Sequence, residues 1–377
     1  MPDSGMSGTW RLLWQDGWLR ALTCWLPLLL FGWMTWLFNG GQVREMPVGL
    51  VDLDHSAYSR QLARQLDASS AMRLAAEYAS PLAGSDALRA GQIYGLVLIP
   101  DDFEKQVRQG RQPTLTVFYN SQLLLVGRML SASMQQSLGT LAAQWSVGRS
   151  LVQRPVPLAA IGIAVPLTSQ LTALFNLGGN YAQFLLSGLL PALWQILILV
   201  ATISLLALRA SRSRTATAAW TQVAALLCRD LVPLLLIYWA WGGIMLWWLY
   251  GVSAGALQGA LWLLVLAQGG MVLACLAMGG LLFGLTRDGA RAMSLAAGYS
   301  APAFAFMGVT FPAHNMDLLA RIWRNLLPVS HYTQIQIGQM NQGLSKLTTL
   351  APLGSLLLFV LIWPLVIALM RRERGNA

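Results

Sequence analysis

Six stretches of this chain are apolar, long and free of Asp, Glu, Lys, Arg and His: residues 21–38, 184–208, 231–250, 261–285, 292–311 and 350–370. Roughly 20 helical residues cross a hydrocarbon core of about 30 Å, so each run is a candidate transmembrane helix. Of the 377 residues, 56% are hydrophobic and only 11% charged, less than half the ordinary charged share. A soluble two-domain enzyme, a disordered chain and a secreted disulfide scaffold are excluded. The expected fold is a polytopic α-helical membrane protein. Six transmembrane helices carry it, with a small exported α/β domain at 39–183 between the first and second.

The first run is the shortest and contains Pro27, which leaves a cleaved signal peptide as one reading. Phe38-Asn39-Gly40-Gly41-Gln42 offers no small-x-small cleavage site, which favours an uncleaved anchor. Basic residues near helix ends set orientation. Six crossings place both termini on one side, with Arg11, Arg20, Arg209, Arg212, Arg214, Arg229, Arg287, Arg291, Arg371, Arg372 and Arg374. The opposite short loops hold only Arg321, Arg324 and Lys346. Both termini are therefore expected in the cytoplasm, with 1–20 as a cytoplasmic interfacial helix, 209–230 as a cytoplasmic coupling loop and 371–377 as a cytoplasmic tail. The net charge of +10 is thus a topology signal, and no nucleic-acid partner is needed. Trp10, Trp14 and Trp18 recur every four residues, as in a helix lying in the cytoplasmic interface, although an early start of the first span fits them too.

Within 39–183 the composition is that of a soluble domain. Short apolar runs at 48–53, 72–78, 93–99 and 114–119 predict strands, while 56–66, 85–90 and 101–109 predict helices. Asp101 is the expected cap of the last, and Asp101, Asp102 and Glu104 are favourable charges in its first turn. Strands alternating with helices imply a mixed or parallel sheet. Residues 121–152 read as a long helix returning to the membrane. Asp52, Asp54 and His55 form one acid–imidazole cluster. A strand end followed by a capped helix explains them as well as a catalytic or metal role, and no nucleophile motif accompanies them. Cys24, Cys228 and Cys275 lie in or beside apolar runs, so neither a disulfide framework nor a metal-ligand spacing can be drawn. No G-x-x-x-x-G-K-[ST] is present, so no nucleotide is bound through a P-loop in this chain.

Ionisable residues inside a membrane mark proton relays and ion coupling. With none in the six runs, transport energy would have to enter from a partner, and the path would suit an amphiphilic cargo. Gly280 and Gly284 stand at small-xxx-small spacing, which serves helix packing within the fold or, alternatively, dimerisation.

The order of parts resembles the type-2 ABC exporter permeases, closest to the bacterial drug-efflux branch. Three passages carry the resemblance. Val48-Gly49-Leu50-Val51-Asp52-Leu53-Asp54 precedes a helix. Gly91 to Phe103 includes Ile93-Tyr94-Gly95-Leu96-Val97-Leu98-Ile99-Pro100 and continues to Tyr119-Asn120. Gly308-Val309-Thr310-Phe311-Pro312 is followed by Met316 and by Leu327-Pro328-Val329-Ser330-His331-Tyr332. Leu174-Phe175-Asn176 resembles the family segment before span two. The resemblance implies an outer mouth built from 312–349, with Gly308, Phe311, Pro312, Pro328, His331 and Tyr332 in short re-entrant or interfacial helices. It also implies a separate cytoplasmic ABC ATPase that holds ATP and magnesium, so this chain itself carries no cofactor, metal or catalytic residue. A second permease copy or homologue and a periplasmic membrane fusion protein complete the implied assembly in a bacterial inner membrane.

One passage departs from that pattern. The family carries an acidic-basic-acidic run followed by Gly-Thr after span two, where the ATPase docks. Here Arg209, Arg212, Arg214 and Thr215 remain without the acids or the Gly. The loop, with Arg229 at its far end, is expected to couple to the ATPase, its competing role being attachment to anionic lipid. Residues 215–227 are expected to form a short helix along the membrane. The competing function is a non-transporting membrane sensor that docks a partner through the exported domain.

Overall fold

The computed structural model describes residues 6–38, 45–109, 113–119, 130–140, 181–212, 219–251, 259–309, 313 and 316–371. Contacts divide the chain into two units, Met1–Gly41 with Asn180–Ala377, and Gln42–Gly179.

The first unit opens with α1 (Met6–Gln15) and α2 (Gly17–Arg20), where the Asp16 carboxylate accepts from the Leu19 N–H at 2.9 Å and caps α2. A π-helical turn, Ala21–Trp25, leads into α3 (Leu26–Leu37). Pro27 accounts for that turn. It has no N–H for the carbonyls one turn back, and its ring crowds them. Side chains from a later helix supply donors instead: Tyr238 Oη reaches the Leu22 carbonyl at 3.1 Å, and Trp241 Nε1 the Thr23 carbonyl at 2.7 Å.

The second unit contains β1 (Met46–Asp52), α4 (Ala57–Asp67), β2 (Met72–Glu77), α5 (Pro81–Arg89), β3 (Gly95–Ile99), α6 (Phe103–Arg108), β4 (Thr116–Tyr119) and α7 (130–140). The strands lie in the order β2-β1-β3-β4, with β1 parallel to both neighbours and β4 antiparallel to β3. Alternation in β1 sorts its side chains to two faces. Met46, Val48 and Leu50 pack with Leu62 and Leu66 of α4, Phe103 of α6 and Leu130 of α7, whereas Val51 packs with Ala87 of α5 and with Leu96. Both faces of the parallel portion are covered, as such sheets require. Ser56 caps α4 in a reciprocal pair with Ser59. The expected cap Asp101 falls one residue early: α6 begins at Phe103, with Asp102 at the cap position. Of the long helix expected over 121–152, only 130–140 lies within the described residues, and these are helical.

The first unit resumes with α8 (Tyr181–Arg212), α9 (Trp220–Leu246) ending in a π turn (Trp247–Gly251), α10 (Leu261–Thr286), α11 (Gly289–Ser300) and α12 (Ala303–Phe306). Then come α13 (Leu318–Leu326), α14 (Pro328–Ile337) with a π turn (Gly338–Gln342), α15 (Lys346–Leu358), a 3-10 turn (Phe359–Ile362) and α16 (Trp363–Arg371). Among the described residues, four helical stretches are long and apolar enough to cross a membrane: Phe184–Ser211, Trp220–Tyr250, Leu261–Thr286 and Lys346–Arg371. Their 26 to 31 residues span about 39–46 Å at 1.5 Å per residue. The first apolar run is helical, with a π turn at Ala21–Trp25, and is not among these four. The fifth run, expected as one continuous helix, is interrupted. Pro302 sits in the turn between α11 and α12, because it lacks the N–H that would continue α11. Helix α8 packs against α3, α9, α10, α11 and α14, and its apolar side chains form the centre of the core.

Candidate functional site

Among the described residues of the first unit, two places concentrate polar chemistry. At one end, the last turn of α8 meets the beginning of α9 and helix α1. Asp230 is buried, and its Oδ1 lies 3.0 Å from Arg209 Nη2 and 2.9 Å from Arg229 Nε. Thr9 of α1 donates to the same oxygen at 2.9 Å and accepts from Arg209 Nη2 at 2.7 Å. A buried carboxylate needs such partners, since an uncompensated charge there costs several kcal/mol. The cluster therefore binds three separate segments into one body.

This geometry revises the expected coupling loop. Arg209 and Arg212 belong to α8, Arg229 belongs to α9, and the connection shortens to 213–219. Arg214 and Thr215 lie outside the described residues. The surface helix expected over 215–227 is replaced, from Trp220 onward, by the first turns of α9 itself. Arg229 and Asp230 looked like the end of a span. Asp230 offsets one of the two guanidinium charges and holds Arg209 and Arg229 at a single oxygen, and the helix continues through them.

The second place is α14, almost wholly buried among the other helices. Pro328 occupies its first position, where a missing N–H costs nothing. The Val329 N–H donates to Gln195 Oε1 of α8 at 3.1 Å, and Gln268 Nε2 of α10 donates to Tyr332 Oη at 3.3 Å. Tyr332 also meets Trp194 edge-on, with ring centroids 5.5 Å apart. Gly242 of α9 makes room for that indole: a Cβ there would stand 2.8 Å from the Trp194 ring and 3.1 Å from Gln268 Cδ. Further along, Gln336 Nε2 donates to the Ser187 carbonyl at 3.1 Å and to Tyr250 Oη at 3.4 Å. The Ser187 carbonyl is the one that Pro191 of α8 cannot serve, so Gln336 replaces a missing helical bond. Gln339 accepts from the Ala260 N–H at 2.8 Å and donates to Thr349 Oγ1 at 2.7 Å.

Beside this seam, the His331 Nε2–H donates to the Asn325 carbonyl at 3.0 Å. Burial pushes the His331 pKa down and the Arg324 charge adds to that, while the Asn325 carbonyl opposes it. The imidazole is therefore neutral at pH 7. Burial also lowers the Arg324 pKa, and its Nη2 donates to Gln334 Oε1 at 3.0 Å. Gly308 adopts φ +93°, a left-handed conformation open to glycine, and approaches Arg324. Phe311 and Pro312 lie outside the described residues. The structure thus brings Pro328, His331 and Tyr332 together on α14. Reading the sequence missed Gln195, Gln268, Gln336, Gln339 and Trp194. A signal existed for two of them, because Gln195 and Gln268 are lone amides in apolar runs and such groups bond across helices.

The remaining candidates have structural partners. Gly280 faces Val366, and Gly284 faces Leu369, both on α16. Asp52 Oδ1 accepts from the N–H groups of Asp54 and His55, each at 3.0 Å, and its Oδ2 accepts from Ser59 Oγ at 2.6 Å. Asp54 Oδ2 accepts from the Glu104 N–H at 3.1 Å, which serves the first turn of α6 from a distant loop. Among the described residues, no group of three His, Cys, Asp or Glu could hold a metal.

Long apolar helices packed through buried amides define a polytopic membrane protein. The model of the ABC-2 family transporter proteins matches residues 18–369, and the chain belongs to that family. Membership makes it a membrane component of an ABC transporter and implies an ATPase partner. Comparison with curated proteins and with solved structures returns no match.

Proposed function

We propose that the chain is the permease subunit of an ATP-driven exporter that moves an amphiphilic or drug-like cargo outward. The observation that carries this reading is the family match over nearly the whole chain. The same match favours transport over a docking or sensing role. ATP and magnesium belong to a separate cytoplasmic ATPase, a second permease copy or homologue completes the path, and a periplasmic membrane fusion protein receives the cargo. The chain makes six crossings of a bacterial inner membrane, the first and fifth through interrupted helices, with both termini cytoplasmic and the α/β unit exported. Helix α13, whose Leu318, Leu319 and Ile322 are exposed beside Arg321, lies in the outer interface.

The cluster of Thr9, Arg209, Arg229 and Asp230 supports a coupling role for this end. A push on α1 or on the connection 213–219 moves α8 and α9 together, because one buried carboxylate holds all three. The test is purification with the copurifying ATPase, followed by ATP hydrolysis and efflux from vesicles. Cargo should stimulate hydrolysis, and efflux should persist under an uncoupler while ATP is held constant. The double change Arg212→Glu with Arg214→Glu should separate hydrolysis from efflux. Efflux that stops when the proton gradient collapses at constant ATP refutes the proposal.

A further inference from the structure

Helices α9, α10 and α16 leave a groove of about 250 Å³ between them. Ala224, Cys228, Leu231 and Leu235 of α9 and Trp363 and Ile367 of α16 line it, and every lining side chain is apolar apart from the Cys228 thiol and the Trp363 indole. The eleven steps from Ala224 to Leu235 rise about 17 Å. That is about half of a 30 Å hydrocarbon core, the depth of one leaflet. Arg229 and Asp230 fall within this stretch of α9 but pair in the Arg209 cluster and do not line the groove. Along α9 and α16 an aromatic ring and a guanidinium follow one helical turn beyond its end. Trp220 lies four residues before Ala224, Arg371 four after Ile367, and the Arg371 guanidinium sits 5.6 Å from the Trp220 ring centroid. Arg287, at the same end of α10, donates to the Leu369 carbonyl. The nearby carboxylate of Asp288 accepts from the Arg291 N–H and caps α11.

An apolar slot one leaflet deep, ending at a Trp and two guanidiniums, matches the outline of one lipid. A second copy of the chain seated on the same slot is the alternative occupant, which the cross-linking outcome below distinguishes. An extended acyl chain is thin enough. Guanidinium groups at the headgroup level select an anionic phosphate, and Trp anchors at that depth. We propose that this groove is a binding site for an anionic phospholipid, with one acyl chain between α9 and α16 and the phosphate at Arg371 and Arg287. The site requires only that the chain spans a bilayer, so it stands apart from the direction or cargo of transport.

The test uses the full chain in phosphatidylcholine nanodiscs. A trace of phosphatidylglycerol or of phosphatidylcholine, each with the same photoactivatable acyl chain, is added, and adducts are mapped by peptide mass spectrometry. Phosphatidylglycerol should label 224–235 and 363–367 about 25-fold more than phosphatidylcholine, the factor two Arg at an anionic headgroup supply at about 1 kcal/mol each. Arg371→Gln should reduce that preference to about fivefold, the share left to Arg287, while leaving phosphatidylcholine labelling unchanged. Leu231→Trp, or Ala224→Trp should the first variant fail to insert, should remove adducts of both lipids from the groove. Equal labelling by the two lipids in the unchanged protein overturns the proposal. So does labelling that persists with the groove filled, or recovery of groove peptides cross-linked to a second copy.

Discussion

Two prolines in the helices of this chain, Pro27 and Pro191, free carbonyl groups that side chains from other helices reclaim. Pro27 frees carbonyls that Tyr238 and Trp241 serve, and Pro191 frees the Ser187 carbonyl that Gln336 serves. In hydrocarbon such a group has no water to turn to, so the proline and the remote donor act as one unit. Gln336→Leu alone leaves a buried carbonyl bare and should cost about 1–3 kcal/mol. In a Pro191→Ala background the restored Ala N–H serves Ser187, and the same change should cost less by about 1 kcal/mol. Thermal unfolding of the four proteins in detergent measures that coupling, and additive costs would show the two residues to be independent. His331 makes a second prediction at this scale. Its folded pKa lies below the unfolded value near 6.5, so the unfolded chain binds more protons as pH falls. Stability is full above that value and declines as pH drops through it toward the lower folded pKa. Unfolding temperatures between pH 8 and about pH 5 should show that decline, and His331→Gln, which cannot take up the proton, should flatten it.

Among the elements, α9 departs furthest from what its residues announce. Arg229 and Asp230 interrupt the apolar pattern, and a reader of the sequence ends the span there. The helix runs through because Arg209, twenty residues earlier, completes the ion cluster, a tertiary fact that no local pattern contains. Cys228→Pro distinguishes the two pictures. In a continuous helix it removes a backbone bond and should cost about 3 kcal/mol or more, with Cys228→Ala within about 0.5 kcal/mol of the parent. In a connection between two helices the proline would be tolerated, so equal unfolding temperatures for the two variants would refute continuity. The α/β unit was far more legible. Its four strands lie within two residues of the short apolar runs that announce them, since turns and caps such as Ser56 bound each run. The break at Pro302 was also written in the chain, but the apolar run around it masked the stop. The buried seam on α14 was half legible: Pro328, His331 and Tyr332 come from the resemblance, while their amide partners on α8 and α10 are brought to them only by folding.

At the scale of the whole first unit, charge and packing agree on which end is which. The described contacts place Arg209 with Thr9, Arg209 and Arg229 with Asp230, Arg371 with Trp220, and Arg287 with Leu369, so these basic residues share one end. Lys346 begins the continuous stretch that finishes at Arg371, and it stands at the other. Eleven basic residues border the first end in sequence and three the second. Basic residues are retained on the cytoplasmic side, so the end holding Arg371 should face the cytoplasm. The prediction concerns single cysteines in a background lacking Cys24, Cys228 and Cys275. In intact cells, Ser345→Cys should react with a membrane-impermeant maleimide, and so should Ser85→Cys in the α/β unit. Ser213→Cys and Asn376→Cys should react only after the membrane is opened. Labelling of Ser213→Cys from outside would invert the orientation and place the Thr9–Arg209–Asp230 cluster away from any cytoplasmic ATPase, removing the physical basis for coupling there.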